Sequence, residues 1–258
     1  MRLNGKTALV TGGGRGIGEA IAMALAKEGC SVAVSGRTLA RLESVAARIQ
    51  ELGRSSLAIV CDVSDPASVA AMFRKVQESW GKLDILVNNA GESHSELLVR
   101  VSLEAWQRTL DINLTGTFLC SQEALRMMLP RGSGRIVNIA SLAAKIGLRF
   151  GGAYTAAKHA VLGLTRAMAL ETATSGITVN ALCPGWVETE MAQKAVNTIT
   201  AKTQISPEKA REFLAAESPQ KRILDPEEVA SATVWLASDE SRGITGQAIN
   251  ICGGQVMF

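Results

Sequence analysis

Short runs of β-branched and aliphatic residues alternate with longer amphipathic stretches along the whole chain, and this rhythm restricts the possible folds more than any other feature. Thr7-Ala8-Leu9-Val10-Thr11 leads into a helical pattern from Ile17 to Glu28, and Ser31 to Ser35 into another from Leu39 to Leu52. Further apolar runs stand at Leu57 to Cys61, Ile85 to Val87, Arg135 to Ile139, Ile177 to Leu182 and Ala248 to Ile251, separated by helix-length segments. Alternation of this kind describes strands joined by crossover helices. The runs are almost continuously hydrophobic, as strands covered on both faces must be. The expectation is one α/β domain over residues 1–258, a doubly wound seven-stranded parallel sheet with helices on both faces. A chain of 258 residues that is 47% hydrophobic has enough apolar surface for such a core. One segment, about 189–222, is too long for an ordinary connection and polar and alanine-rich; it is expected to be a cover over a binding cleft or else a pair of surface helices with only a packing role.

Charge and cysteine usage narrow the function classes. The 27 basic and 24 acidic residues are scattered, leaving a formal charge of +3 and no basic stripe, so nucleic acid is not an expected partner. No apolar run is long enough to span a membrane and no signal peptide is apparent, which predicts a cytoplasmic protein. Cys30, Cys61, Cys120, Cys183 and Cys252 lack the paired spacing of a zinc site, and only His94 and His159 could add imidazole, so no metal is expected. The cysteines read as buried thiols.

Directly after the first strand comes Thr11-Gly12-Gly13-Gly14-Arg15-Gly16-Ile17-Gly18, with a helical pattern from Glu19. Strand, glycine turn and helix start are the context of a dinucleotide site, although the spacing is Gly-x-x-x-Gly-x-Gly. Glycine lets the backbone approach a pyrophosphate, and the helix start supplies unpaired N–H groups. An acidic residue at the end of the second strand would select NAD, but this chain has Ser35-Gly36-Arg37. Arg37 and Arg15 can pair with a 2′-phosphate, so NADP(H) is the predicted cofactor.

Tyr154, the only tyrosine, stands four residues before Lys158 in a stretch of small helix-forming residues. Positions i and i+4 share a helix face, so phenol and ammonium can act on one bound group. A nearby cation is expected to lower the phenol's pKa. Alone, such spacing arises by chance on many helices.

With the glycine turn and Tyr154/Lys158, the chain carries Cys61-Asp62-Val63, Asn88-Asn89-Ala90-Gly91, Asn113 in Asp111-Ile112-Asn113-Leu114-Thr115-Gly116, Ser141 in Asn138-Ile139-Ala140-Ser141, and Pro184-Gly185. This ordered set resembles the short-chain dehydrogenase/reductase family along essentially the whole length. The resemblance implies a Rossmann-like fold and a catalytic tetrad of Asn113, Ser141, Tyr154 and Lys158. It implies cofactor contacts from Gly12, Gly14, Arg15, Gly16, Ile17, Gly18 and Arg37, with Asp62 and Val63 at the adenine and Asn89, Ala90 and Gly91 along the cleft. Tyr154 and Lys158 would also meet the cofactor, as would Pro184, Gly185, Val187 and Thr189, the last two at the nicotinamide carboxamide. Asn113 is expected to hold a water linking Lys158 to solvent. A homotetramer, or a dimer, is implied too.

Ketone reduction needs a hydrogen bond aimed at the carbonyl oxygen and a proton source, which Ser141 and Tyr154 can supply. The look of Cys183-Pro184-Gly185-Trp186-Val187-Glu188-Thr189 and Ile251-Cys252-Gly253-Gly254 is similar to 3-oxoacyl thioester reductases and type II polyketide ketoreductases. The expected activity is NADP(H)-dependent interconversion of a ketone and a secondary alcohol, on a thioester of coenzyme A or a carrier protein or on a polyketide-like ketone. Ser175 replaces the basic residue that carrier-protein reductases often place before Gly176, so a free ketone or coenzyme A thioester is a comparable reading. Candidate substrate residues are His94, Leu142, Ala143, Phe150, Trp186 and Met191, with Arg149 as an anion contact. The rivals are a non-catalytic NADP-sensing module and a dehydrogenase of an unrelated small alcohol or sugar. Related enoyl reductases put six residues between tyrosine and lysine, where this chain has three.

Overall fold

A computed structural model describes residues 1–258 as one sheet flanked by helices. In chain order the strands are β1 (Thr7–Thr11), β2 (Ser31–Gly36), β3 (Ser56–Val60), β4 (Ile85–Asn88), β5 (Gly134–Ile139), β6 (Ile177–Pro184) and β7 (Ala248–Ile251). The helices are α1 (Gly16–Lys27), α2 (Leu39–Glu51), α3 (Pro66–Trp80), α4 (Leu103–Leu110), α5 (Gly116–Met128), α6 (Gly152–Glu171), α7 (Glu190–Thr203), α8 (Pro207–Ala216) and α9 (Pro226–Ala237). The strands lie in the order β3-β2-β1-β4-β5-β6-β7. All their pairings are parallel.

The continuous hydrophobicity of the strands has its cause in the two cores. Ala8, Val10, Val32, Val34, Ile85 and Val87 pack into one of them with residues of α1, α2 and α9. Leu9, Ala33 and Leu86, the alternate positions, pack into the other with residues of α3 and α5. Side chains alternate across a strand, so a sheet covered on both faces must be apolar at every position.

Local signals set the helix ends. Asp65 accepts from the N–H groups of Ala67 and Ser68 ahead of Pro66, and α3 stops at Gly81, whose φ of 67° is left-handed. Asp225 and Glu228 form a capping box at the start of α9. Between α4 and α5, residues Asp111–Thr115 form a wider π-helical turn that carries Asn113. Such turns commonly mark functional positions.

The long segment after β6 forms α7 and α8, which enclose a small core of Val196, Ala210 and Leu214. Val187 and Leu224 close it at its base through an isolated parallel bridge. No helix is long and apolar enough to cross a membrane. All five cysteines are buried free thiols.

Candidate active site

Strand order reverses at β1: the chain passes outward to β2 and β3, then returns to β4 on β1's other side. The crevice beyond the strand ends at such a switch point is where open parallel sheets hold ligands. Two of the singled-out motifs meet there, the glycine turn after β1 and Asn89-Ala90-Gly91 after β4.

Thr11 and Asn89 bind these two loops together. The Thr11 hydroxyl accepts from the N–H groups of Asn89 and Ala90, both at 3.0 Å. Asn89 Nδ2 donates to the carbonyls of Thr11 at 2.9 Å and Gly12 at 3.2 Å, so this amide holds the turn in shape. Gly12 and Gly16 have φ of 64° and 54°, where a side chain is strained. A Cβ on Gly18 would lie 2.2 Å from the Gly12 carbonyl oxygen, so α1 can start this close to the turn only with glycine there.

At the outer edge of the crevice stand Arg15, Arg37 and Arg41. Arg37 approaches Glu92 at 4.0 Å. Arg15 and Arg41 both reach Glu190, the first residue of α7. Asp62 Oδ1 accepts from the Ser64 N–H at 3.0 Å and the Ser64 hydroxyl at 2.6 Å. These bonds hold its carboxyl below the usual range.

The four tetrad residues come from three places in the chain. Lys158 on α6 is buried, and its Nζ donates to the Ile139 carbonyl at the end of β5 at 2.9 Å. That is its one hydrogen bond, leaving further donor capacity on the ammonium. Nζ lies 5.6 Å from the centre of the Tyr154 ring. Ser141, two residues beyond β5, accepts from the Ala143 N–H at 3.1 Å. It therefore caps the next turn while its own proton stays available for donation. Asn113 is wholly buried, with Nδ2 donating to the Glu92 carbonyl at 2.8 Å and the Thr109 carbonyl at 3.0 Å. Its Oδ1 accepts nothing. A Cβ on Gly91 would stand 2.8 Å from that oxygen and 3.7 Å from Lys158 Nζ, so Gly91 keeps the space beside both groups open.

Burial pushes the Tyr154 phenol above its ordinary value, with the Ser141 hydroxyl acting the other way. The sequence expectation was a lowered value through Lys158. The difference has a physical cause: the cost of burying the charged phenolate outweighs the one bond that opposes it, and burial likewise brings Lys158 down to about 8.

The substrate candidates are less well gathered. Leu142 and Ala143 face the interior, Leu142 packing against Cys252 and Val256. Trp186 donates its indole N–H to Glu217 at 2.8 Å and packs beneath α7 and α8, as an anchor of that segment. A turn after a strand has no fixed periodicity, so its inward and outward positions cannot be read from sequence spacing. Phe150 and Met191 are both 39% exposed. Phe150 has φ of 66°, rare for an aromatic residue, and its carbonyl accepts from the Glu96 N–H at 2.8 Å. Arg149 lies over its ring at 4.8 Å. His94 is exposed, and His159 turns outward with Nδ1 2.9 Å from the Thr155 carbonyl. Pro184 and Val187 are buried, and Thr189 caps α7.

Sequence reasoning missed Arg41, Glu190 and the Ile139 carbonyl. Arg41 did carry a signal, since it is a second arginine four residues after Arg37, in the first turn of α2. No group of three or more His, Cys, Asp or Glu side chains is placed to hold a metal ion. The cleft fits NADP(H) on its own features: a glycine turn that any Cβ would obstruct, guanidinium groups at its outer edge, and buried Asn113 Oδ1 and Lys158 Nζ with unused capacity at the other.

Residues 12–255 match the family model described as enoyl-(acyl carrier protein) reductase. The chain is 40% identical over 249 residues to the granaticin polyketide synthase putative ketoacyl reductase 1 of Streptomyces violaceoruber, covering 96% of this chain and 92% of that protein. It is 40% identical over 259 residues to the 3-oxoacyl-[acyl-carrier-protein] reductase of Vibrio cholerae, covering 100% of both. A crystal structure of a variant of actinorhodin polyketide ketoreductase with NADPH superposes with a TM-score of 0.95 at 39% identity, covering 98% of both chains.

Proposed function

The chain belongs to the short-chain dehydrogenase/reductase family, and from that premise we propose that it is an NADP(H)-dependent ketoreductase whose tetrad is Asn113, Ser141, Tyr154 and Lys158. The observation that carries the reading is the gathering of Ser141, Tyr154 and a buried Lys158 around the end of β5, with Lys158 Nζ 2.9 Å from the Ile139 carbonyl.

NADP(H), when bound, supplies hydride to a carbonyl carbon or takes it from an alcohol. The Ser141 hydroxyl donates to the substrate oxygen, on which negative charge grows. Tyr154, a phenol and so protonated at neutral pH, gives that oxygen a proton. Lys158 orients the cofactor's ribose with its unused N–H groups, and Asn113 Oδ1 accepts from a water that replenishes the proton. Gly12 through Gly18 receive the pyrophosphate, and Arg15 and Arg37 the 2′-phosphate.

The proposed substrate is a 3-oxoacyl thioester or a polyketide-like ketone. The two relatives and the actinorhodin ketoreductase support this through the activities their names carry. The three-residue spacing between Tyr154 and Lys158 favours ketone over enoyl reduction. The segment at 189–222 is proposed as the substrate lid. We place the enzyme in the cytoplasm, in keeping with five free thiols, and as a homotetramer or dimer. Exposed Leu98, Val99, Leu103 and Leu170 and the edge position of β7 support association.

The test is NADPH oxidation across a panel of 3-oxoacyl coenzyme A, 3-oxoacyl carrier-protein and free ketone substrates. Oxidation with at least one class, lost in Tyr154→Phe, is expected. Activity retained in that variant sinks the mechanism. A single monomeric peak in gel filtration overturns the proposed assembly.

A further inference from the structure

Arg41 belongs to none of the motifs behind the cofactor reading, yet the fold brings it to the same place. A Cβ on Gly14 would stand 3.2 Å from the Cβ of Arg41, so the arginine stem lies against the glycine turn just before Arg15. Arg41 Nη1 donates to Glu190 Oε1 at 2.6 Å, and Arg15 Nη1 donates to the other oxygen, Oε2. One anion thus bridges two guanidinium groups, each oxygen taking one. A phosphate monoester engages paired arginines in the same manner.

The magnitudes favour exchange. Side-chain exposures of 50% for Arg15, 46% for Arg41 and 49% for Glu190 make these solvent-screened pairs of modest strength. A phosphate monoester carries about −1.5 to −2 charges at pH 7 and offers three acceptor oxygens, against one charge on a carboxylate. Glu190 is also the first residue of α7, so whatever replaces it on the arginines detaches the start of the lid from the glycine turn.

We propose that Arg41 is a third arginine for the 2′-phosphate of NADP(H), and that Glu190 is the resident anion which this phosphate displaces. The inference rests on the NADP(H) reading of the site. Cofactor choice is then reported to the lid: NAD, which lacks the phosphate, leaves Glu190 in place and α7 tethered.

The experiment measures binding of adenosine 2′,5′-bisphosphate, NADP and NAD by calorimetry to the wild type, Glu190→Gln and Arg41→Gln. Tryptic cleavage at Lys194 and Lys202 on α7 is followed with and without the bisphosphate. Glu190→Gln is expected to tighten bisphosphate binding about three- to tenfold, the scale of two weak exposed pairs, and to leave NAD unchanged. Arg41→Gln is expected to weaken the bisphosphate by about tenfold, with unchanged NAD affinity showing that the fold is intact. The bisphosphate should speed cleavage of α7 in the wild type and have little effect in Glu190→Gln. Unchanged or weaker bisphosphate binding in Glu190→Gln overturns the displacement, and unchanged binding in Arg41→Gln overturns the role of that arginine. A wild type that binds NAD more tightly than NADP instead overturns the cofactor reading itself.

Discussion

In the proposed tetrad, one buried cation, Lys158, would serve chemistry at the expense of stability. Lys158 titrates near 8 because burial disfavours its charged form, whereas an unfolded lysine titrates near 10.4. Between those values the unfolded chain binds more protons, so wild-type stability rises as pH increases from about 8 to about 10.4 and is insensitive to this group outside that window. The difference corresponds to about 3 kcal/mol. Lys158→Met removes the ionisation, so the variant should be the more stable protein at pH 7, with an advantage that shrinks as pH rises above 8. Urea denaturation of both proteins at pH 7, 8.5 and 10 measures this, and an advantage independent of pH would contradict it. Tyr154→Phe separates chemistry from binding. Turnover should fall about 10²- to 10⁴-fold, the usual contribution of a positioned acid, while calorimetry finds NADP affinity within about twofold of wild type.

At the level of elements, most of the architecture was legible because strands buried on both faces leave a pattern that helices do not. The seven runs coincide with seven strands to within a residue or two. The outward or inward sense of the short turn after Ser141 was not legible, so Leu142 and Ala143 were expected in the pocket and lie in the core. Arg41 was missed because its meeting with Arg15 depends on α2 packing against Gly14, a tertiary contact. The glycine turn itself was readable, but the reason for each glycine was not. Gly18 is required by the approach of α1 to the Gly12 carbonyl and to Asn89 Nδ2, which an added Cβ would meet at 2.2 and 2.5 Å. Gly18→Ala must therefore push the turn and α1 apart. It should lose about 1–3 kcal/mol of stability, as overpacked sites do, and bind NADP at least about tenfold more weakly, since the N–H groups at the helix start are displaced. Thermal denaturation with and without NADP checks both effects; a cofactor-induced rise in Tm equal to that of wild type would refute the second.

Across the whole molecule, the catalytic crevice occupies one end of the sheet and an ionic staple the other. Asp84, just before β4, is 4% exposed and accepts from the Thr7 N–H at 2.9 Å at the start of β1. Its oxygens also meet Arg131 at 2.5 Å and Lys82 at 3.0 Å. The two central strands at the fold's switch point are thus joined at their starts by one carboxylate. Burial alone would raise its pKa, but the bonds from Arg131, the Thr7 N–H and Lys82 outweigh that and hold it at about 2. An unfolded aspartate titrates near 3.9. The contribution is therefore fully present above about pH 4 and is lost as pH falls toward 2, because the unfolded chain takes up the proton first. With both cations about one-third exposed, solvent screening reduces the expected contribution to about 1–2 kcal/mol. Asp84→Asn should lower stability at pH 7 by more than this, since Arg131 and Lys82 lose their anion and an amide cannot accept all the same bonds. Its stability should also fall less steeply than the wild type's between pH 4 and pH 2. Denaturation midpoints across that range decide the matter: parallel curves would mean that the carboxylate's ionisation does not hold β1 to β4, and that these strands owe their register to the apolar layers alone.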